Sequence, residues 1–431
     1  MARVLIIAYT TYVHDGRVKR HAEALAARGD SVDVIALRSG TEGLQHGVNV
    51  MGIPIQRYRG ASRASYLSSY VRFFTSAARL GYRLGRVNPY DVVIACTLPD
   101  TAVLSALPAR WCGSRVILDI HDTMPELYQE KFGGRRGALG AKALMVMERL
   151  CAGFADRVFA VHQLHRMRLE RAGIPPEKIT VVMNSPQPRI FKMARYGAAQ
   201  SSPECVLACH GTITRRLGID TAIKAVSLLV DRIATVRLRV LGGGDYLEEA
   251  RRLASRLGIA EYVHFEGVAP IENLPALLRD VTIGLVPNHA SSATHLMLPV
   301  KLMEYTALGI PVIASRLRTV EHYFPDSAVR LVTPGDSEAM ANAIQELFDA
   351  PVLRRQLAGN AQRIARELSW AHQEAQFFAA IDELADQRGG WGSGAAARYD
   401  SNHALGGGGP ARRAHHKDVS VSLSCKTGGG L

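Results

Sequence analysis

The stretch Ser292–Ser315, SATHLMLPVKLMEYTALGIPVIAS, predicts a loop, a helix, a turn and a strand in that order. Pro299 suits the first turn of a helix, where its missing N–H group costs nothing, and good helix formers follow over Val300–Leu308. Gly309 suits the left-handed residue that ends a helix, and the apolar run from Pro311 predicts a buried parallel strand. The free N–H groups at the start of this helix make an anion site.

Glu304 lies one turn into the predicted helix. Its carboxylate could accept two hydrogen bonds from a ribose whose phosphates bind at the helix start, near Lys301. The same spacing equally predicts a surface ion pair between Lys301 and Glu304 at positions i and i+3. Spacing alone leaves both interpretations open.

The run LPVKLMEY over 298–305, followed by GIPVIAS over 309–315, resembles the donor-binding element of family-four retaining glycosyltransferases. The resemblance implies an α/β protein of the GT-B fold, in which two Rossmann-like doubly wound domains face a cleft. The family motif has two glutamates separated by seven residues. Glu304 matches the second glutamate, whereas Leu296 stands where the first one usually contacts sugar hydroxyls. The donor-binding residues that the resemblance implies here are Leu298, Pro299, Val300, Lys301 and Glu304.

The composition describes an ordinary soluble protein of roughly two to three domains, with 47% apolar and 21% charged residues in 431. No apolar run approaches the ~20 residues of a membrane span, and no signal peptide is expected. The six cysteines have no zinc-site spacing, so we expect reduced thiols, a cytoplasmic protein and no metal.

The positive charge is concentrated in the first half of the chain. Residues 1–189 carry +11, residues 190–387 carry −2 and residues 388–431 carry +4, within a total of +13. This distribution predicts an anionic partner for the first domain, such as the inner face of a membrane. Residues 62–86 place arginines among aromatic residues on a helix, which fits a membrane-surface face or a core-facing helix with a solvated basic side. No nucleic-acid motif accompanies the charge, so nucleic acid is not expected as a partner.

The chain begins with a βαβ pattern, which predicts a doubly wound domain. The loop after its first strand contains Asp15, Gly16 and Arg17, and the resemblance places this loop at the cleft. Gly16 is therefore a candidate donor contact. Asp15 alternatively serves as a plain helix N-cap.

A second candidate loop, DIHDTMPE over 119–126, follows a predicted strand. It resembles the His-Asp loop beside the reacting sugar carbon of the family. His121 is therefore a candidate catalytic residue that binds sugar hydroxyls or stabilises developing charge. The alternative is a histidine held by Asp122 in a turn at the strand end.

The second domain repeats the α/β pattern from the strand over 205–209. In the resembling family a glycine turn and basic residues after this strand hold the donor diphosphate, which assigns Gly211, Thr212, Arg215 and Arg216 to that role. Arg215 and Arg216 are counted as catalytic, because guanidinium groups pair with phosphate oxygens in a bidentate manner. The resemblance adds Gly243 in a glycine-rich turn and Val268 in the segment that contacts the nucleobase.

Five segments result: an acceptor-side domain (1–189), a linker (190–204), a nucleotide-sugar domain (205–369), a helix crossing back to the first domain (370–387) and a disordered tail (388–431). The resemblance implies metal-independent transfer of a sugar from a UDP- or GDP-sugar to a glycan or lipid-linked acceptor, in cell-surface polysaccharide synthesis. Two alternatives remain. A nucleotide-sugar 2-epimerase shares the fold, and Leu296 leaves open a non-catalytic binding subunit.

Overall fold

A computed structural model of the protein describes residues 1–55, 63–193 and 203–399. Residues 1–388 form one compact unit, which contains two α/β lobes. Residues 389–431 form a second unit, of which only 389–399 are described. Most of the predicted linker and of the predicted tail therefore lies outside the described residues.

The N-terminal lobe is built on an eight-stranded sheet with the strand order β3-β4-β2-β1-β5-β6-β7-β8. Every pairing is parallel except that between β3 and β4. The strands are β1 (Arg3–Ala8), β2 (Ser31–Leu37), β3 (Gly43–Gln45), β4 (Val48–Ile53), β5 (Val92–Cys96), β6 (Arg115–Ile120), β7 (Arg157–Ala160) and β8 (Ile179–Val181). The helices are α1 (Gly16–Arg28), α2 (Arg63–Val87), α3 (Leu107–Trp111), α4 (Met124–Phe132), α5 (Gly134–Phe154) and α6 (Gln163–Arg171).

The C-terminal lobe is built on a six-stranded parallel sheet with the order β11-β10-β9-β12-β13-β14. The strands are β9 (Val206–His210), β10 (Arg237–Leu241), β11 (Val263–Gly267), β12 (Ile283–Val286), β13 (Val312–Ser315) and β14 (Arg330–Val332). The helices are α7 (Ile219–Ser227), α8 (Leu247–Arg256), α9 (Leu274–Leu277), α10 (Val300–Ala307), α11 (Arg318–Tyr323), α12 (Ser337–Asp349), α13 (Pro351–Glu367) and α14 (Trp370–Tyr399).

The two sheets confirm the predicted doubly wound architecture. In each sheet the strand order reverses once in the middle, between β1 and β5 in one lobe and between β9 and β12 in the other. Open α/β sheets bind ligands outside the carboxyl ends of the strands at such a reversal. The loops that leave β1, β5, β9 and β12 are therefore the expected site positions in both lobes.

Helix α2 turns its aromatic residues inward. Phe73 and Tyr70 are buried, and both rings contact Tyr9, with centroid separations of 5.2 and 4.4 Å. The exposed side of the helix carries arginines such as Arg79 and Arg83. The structure thus favours the core-facing interpretation, because the aromatic residues that a membrane face requires are used in the core.

Helix α14 begins in the C-terminal lobe and packs on the N-terminal one. Trp370, Phe377 and Ile381 are buried in the cluster that covers one face of the first sheet. The imidazole of His21 on α1 stacks on Phe377 at a ring separation of 4.5 Å. This packing is what the predicted crossing helix requires. Among the described residues, no helix combines the length and the apolar character needed to traverse a bilayer.

Candidate active site

Helix α10 forms as the sequence predicts, and the core holds it firmly. Leu302, Met303 and Tyr305 are buried, and Gly309 adopts a φ of +73° where the helix ends. The hydroxyl of Tyr305 donates to the carbonyl of Ala208 on β9 over 2.9 Å. Helix α10 is therefore fixed relative to the central strand of the sheet.

Glu304 lies inside the lobe, where it pairs with a histidine that no sequence motif singled out. Nε2 of His210 lies 2.6 Å from Oε2 of Glu304, and both side chains are buried. The imidazole packs edge-on against the ring of Tyr305. The prediction of a surface ion pair between Lys301 and Glu304 is wrong, because Lys301 and Glu304 are only 9% and 6% exposed.

Lys301 has a thiol beside its ammonium group. Its Nζ atom lies 3.9 Å from the Sγ atom of Cys209, which precedes His210, the last residue of β9. A thiol is a weak acceptor and leaves donor capacity on the ammonium group unused. A buried cation in this position favours a negative ligand nearby.

The backbones of the glycine turns after β9 and β10 pack in close contact. A Cβ atom on Gly242 would lie 1.8 Å from the carbonyl oxygen of Gly211, and one on Gly244 would lie 2.2 Å from that of Ile213. The amide of Ile213 donates to the carbonyl of Gly243 over 2.9 Å. Side chains are thus excluded from this contact, and both turns present backbone at the carboxyl ends of the strands.

The two outer residues of this region are open to solvent. Thr212 is exposed beside Gly211, and Val268 is exposed after β11, where it would contact a Cβ atom placed on Gly243. The structure therefore places Gly243 and Val268 side by side. Their contact with a nucleobase stays a prediction.

Arg215 and Arg216 occupy a 3₁₀ helix between β9 and α7. Arg215 is exposed, whereas Arg216 is half-buried and its Nη1 atom has no hydrogen-bond partner among the described residues. The carbonyl of Arg216 accepts from the amide of His289 over 2.9 Å, which joins this loop to the one after β12. Neither arginine lines the cavity between the lobes that is described below, so their phosphate contacts stay a prediction.

His121 is oriented by a buried carboxylate rather than by its neighbour Asp122. Its Nε2 atom lies 3.0 Å from Oδ2 of Asp119, and its backbone amide donates to Thr97 Oγ1. Nη2 of Arg17 lies 2.6 Å from Oδ1 of the same carboxylate. Burial by itself would raise the pKa of Asp119, but Arg17 and then His121 outweigh burial and hold that pKa well below its usual range.

These contacts decide the roles of the loop after β1. Arg17 is buried against Asp119 and the carbonyl of Val182, so it positions the histidine loop and is not a direct contact in the cleft. Asp15 caps α1 by accepting from the amide of Val18, as the alternative interpretation had it. Gly16 is the first residue of α1, and its donor contact stays a prediction.

Cys96, Asp119 and His121 offer three ligand atoms within 4.8 Å of one another. The guanidinium group of Arg17 already neutralises the carboxylate of Asp119 in this trio. A divalent cation there would lie beside that positive charge, which disfavours a metal. The expectation of metal independence stays a prediction from the sequence.

A cavity of about 190 Å³ lies between the two lobes. It joins the histidine loop to the start of α10, because His121 lines it together with Leu298, Pro299 and Val300. The structure therefore brings four of the predicted site residues around one space.

Two histidines that no sequence motif singled out line the same cavity. Nε2 of His162 lies 2.9 Å from the carbonyl oxygen of Leu296 in the other lobe. Burial lowers the pKa of His162 to about 4 and that of His165 well below the usual range, so both rings are neutral at pH 7. His162 lies two residues after the end of β7. Such a strand-end position is where ligand-binding residues occur in α/β folds, so it could have identified His162 as a candidate from the sequence.

Leu296 lines the cavity at the position where the resembling family has its first glutamate. The side chain presents methyl groups in place of a carboxylate, and its carbonyl contacts His162. Any sugar in this cavity therefore lacks one negative hydrogen-bond acceptor.

Two family models match the chain. The model described as Glycosyl transferases group 1 matches residues 204–350, and the model described as Glycosyl transferase 4-like domain matches residues 16–185. Together they cover most of both lobes.

Relatives of known name share parts of this sequence. The GDP-mannose-dependent alpha-(1-6)-phosphatidylinositol monomannoside mannosyltransferase of Mycolicibacterium smegmatis is 31% identical over 38% of this chain and 44% of its own length. WcaL of Escherichia coli K12, a glycosyltransferase named for colanic acid biosynthesis, is 27% identical over 46% of this chain and 51% of its own. The matched region thus spans about half the length of these curated relatives.

The fold has close counterparts among solved structures. Anabaena HepE in complex with UDP-glucose superposes with a TM-score of 0.69 at 18% identity, over 89% of this chain and all of that chain. At this identity the likeness concerns the fold alone, which is GT-B.

Proposed function

The chain belongs to the group 1 glycosyl transferases of the GT-B fold, and from this premise we propose that it is a retaining glycosyltransferase. The donor is a UDP- or GDP-sugar, and the acceptor is a glycan or a lipid-linked glycan. The sugar keeps its anomeric configuration, and no metal takes part. No observation among the described residues specifically favours an epimerase or a non-catalytic subunit.

One observation carries the proposal: His121 from the N-terminal lobe and the start of α10 from the C-terminal lobe line the same cavity. A transferase of this fold must hold a donor on one lobe while the other presents groups to the reacting sugar. The free N–H groups at the start of α10 favour a negative ligand. Glu304 lies one turn further in and pairs with His210, and we assign it to the ribose hydroxyls.

The chemistry follows from the charge that develops on the leaving group. As the glycosyl bond breaks, negative charge accumulates on the diphosphate, and fixed positive groups lower the barrier. We assign this role to Arg216, with Arg215 and Lys301 in support. Arg216 has a buried Nη1 atom without a partner among the described residues, and such a donor favours an incoming phosphate oxygen. The departing phosphate itself accepts the proton of the acceptor hydroxyl.

His121 would act on the sugar rather than on the nucleotide. Its Nε2 atom is engaged by Asp119, so the other ring nitrogen is the one free to meet a sugar hydroxyl or developing positive charge. The buried Arg17–Asp119 pair keeps the imidazole in this orientation.

The acceptor and the setting are supported by the relatives and by the charge distribution. One relative is named for a phosphatidylinositol mannoside acceptor and another for colanic acid biosynthesis. The first 189 residues carry +11. We therefore propose a role in cell-surface polysaccharide synthesis, in the cytoplasm and peripherally at the inner face of the cell membrane.

The proposal is tested first by thermal-shift binding of UDP, GDP and ADP, and then by transfer from the matching nucleotide sugars. NMR of the product should show the anomeric configuration of the donor; an inverted product would refute the retaining mechanism. Absence of both transfer and donor hydrolysis across the panel would refute the enzyme assignment.

A matched pair of histidine variants tests the cavity. His121→Ala should abolish transfer and leave nucleotide affinity unchanged, because its site is on the opposite lobe from the nucleotide. His264→Ala, which removes an exposed histidine on β11, should leave both transfer and nucleotide affinity unchanged. Normal transfer by His121→Ala would remove the histidine from the mechanism.

A further inference from the structure

Helix α5 of the N-terminal lobe exposes an apolar row to solvent. Leu139, Val146 and Leu150 are 72%, 60% and 65% exposed. They are spaced at i, i+7 and i+11, which places them on one face of the helix. Three large aliphatic side chains in one continuous exposed row are unusual for a surface without a partner.

Basic residues flank this row, and no exposed acid interrupts it. Arg135, Lys142 and Arg149 recur every seven residues along one side of the row, and Arg136 lies on the other. All four are exposed, and none has an ion-pair partner in the part of the chain that the structure describes. The one acid of the helix, Glu148, is fully buried.

The buried side of α5 is anchored to the lobe. Glu148 forms an ion pair with Arg168 on α6, and Arg168 also pairs with Glu126 on α4. The ring of Tyr128 on α4 packs where a Cβ atom on Gly140 would lie. The helix is therefore held in place while its opposite face remains uncovered.

An aliphatic row bordered only by cations matches the interface of an anionic bilayer. Aliphatic side chains bury in the acyl boundary while basic side chains reach lipid phosphates. A protein partner would need a surface of matching shape that is both acidic and apolar. An anionic bilayer supplies the negative charge and the apolar phase together. Helix α2, the candidate from the sequence, exposes the arginines Arg72, Arg79 and Arg83 but turns Phe73 into the core.

We propose that the exposed face of α5, defined by Leu139, Val146 and Leu150 with their flanking basic residues, is the surface with which the protein binds an anionic membrane. The inference extends the peripheral placement in the proposed function. Membrane binding is measured without sugar donor or acceptor. Failure of lipid binding is therefore distinguishable from failure of sugar transfer.

The test is co-sedimentation of the full chain with two kinds of vesicle. One contains phosphatidylcholine alone, and the other contains phosphatidylcholine with about 30% phosphatidylglycerol, an anionic lipid. Wild type should bind the anionic vesicles, less so as salt rises, and should bind neutral vesicles weakly. The triple variant Arg135→Gln, Lys142→Gln, Arg149→Gln should lose about one-hundredfold in anionic partitioning, at roughly fivefold per basic residue.

The matched control removes the same charge from α2, as Arg72→Gln, Arg79→Gln, Arg83→Gln. It should lose no more than about threefold, because those residues are not at the lipid contact in this proposal. Equal losses for the two triple variants would show that binding follows net charge, and would refute α5 as the surface.

A second variant tests the aliphatic row without removing basic residues. Val146→Glu, Leu150→Glu should lower partitioning at least tenfold, since two apolar groups no longer enter the bilayer. Leu150→Trp should show blue-shifted emission on adding anionic vesicles. Unchanged binding, an unshifted spectrum or a dimer that the glutamate variant dissolves would each overturn the proposal, and the dimer would assign the face to a second copy.

Discussion

The pair of His210 and Glu304 offers the sharpest test of the nucleotide site. Glu304→Ala removes the acceptor that we place on the ribose hydroxyls. A hydrogen bond to a charged group contributes about 1.5–3 kcal/mol, which corresponds to about 10- to 150-fold in affinity. Isothermal titration with UDP and GDP should therefore show a loss in that range for the nucleotide that the wild type prefers.

The ribose assignment is isolated by changing the ligand instead of the protein. The wild type should bind the 2′,3′-dideoxy form of its nucleotide about 10- to 150-fold more weakly than the parent, whereas Glu304→Ala should bind both forms equally. Glu248→Ala, which removes an exposed glutamate of α8, is the matched control and should leave both affinities unchanged.

His210→Ala tests whether the histidine positions this carboxylate. The two side chains are 2.6 Å apart in a buried site, so removing the imidazole leaves Glu304 without its partner. Affinity for the parent nucleotide should fall and affinity for the dideoxy form should not. If the dideoxy nucleotide binds the wild type as tightly as the parent, the ribose role of Glu304 and the positioning role of His210 are both refuted.

Three further predictions concern charge, proton binding and backbone packing. Arg216→Ala should lower kcat by about 10- to 1,000-fold, and Arg215→Ala less, because only Arg216 has a buried unpaired donor; steady-state kinetics at saturating donor checks this, and equal turnover for the wild type and Arg216→Ala would contradict it. Burial, followed by the charge of Glu148, raises the pKa of Asp100 from 3.8 to about 7. The folded protein therefore keeps a proton that the unfolded chain releases near pH 4, and stability falls as the pH rises from about 4 to about 7. Asp100→Asn should flatten that part of the curve of melting temperature against pH, and an unchanged slope would exclude Asp100 as its source. Gly242→Ala should lower the melting temperature by several degrees and weaken nucleotide binding, since its Cβ atom would meet the carbonyl of Gly211 at 1.8 Å; calorimetry beside the open-surface control Gly359→Ala distinguishes a local clash from a general loss of glycine.

Local patterns carried much of the architecture. The extent of α10, the left-handed Gly309 and the strand that follows were predictable from residues within one stretch, because propensity, proline geometry and helix termination act over a few positions. The parallel sheets followed from strands that alternate with helices. The same neighbourhood predicted that His121 lies at a strand end.

Charge pairing was harder to predict because its partners are far apart in the chain. Spacing suggested that Lys301 and Glu304 pair with each other, yet Glu304 pairs with His210 94 residues away. Arg17 resembled a cleft residue and is buried against Asp119, 102 residues along. A local pattern records which charges are present, whereas the packing of strands and helices decides which of them meet.

The sequence by itself determined the two α/β lobes, the start of α10 and the excess of positive charge in the first lobe. Only the tertiary structure decided which way each amphipathic surface faces. The aromatic residues of α2 enter the core because Tyr9 lies opposite them, while Leu139 and Leu150 of α5 remain outside because Glu148 turns the other face of that helix inward. Periodicity gives a helix its faces, and the neighbouring elements select the one that is buried.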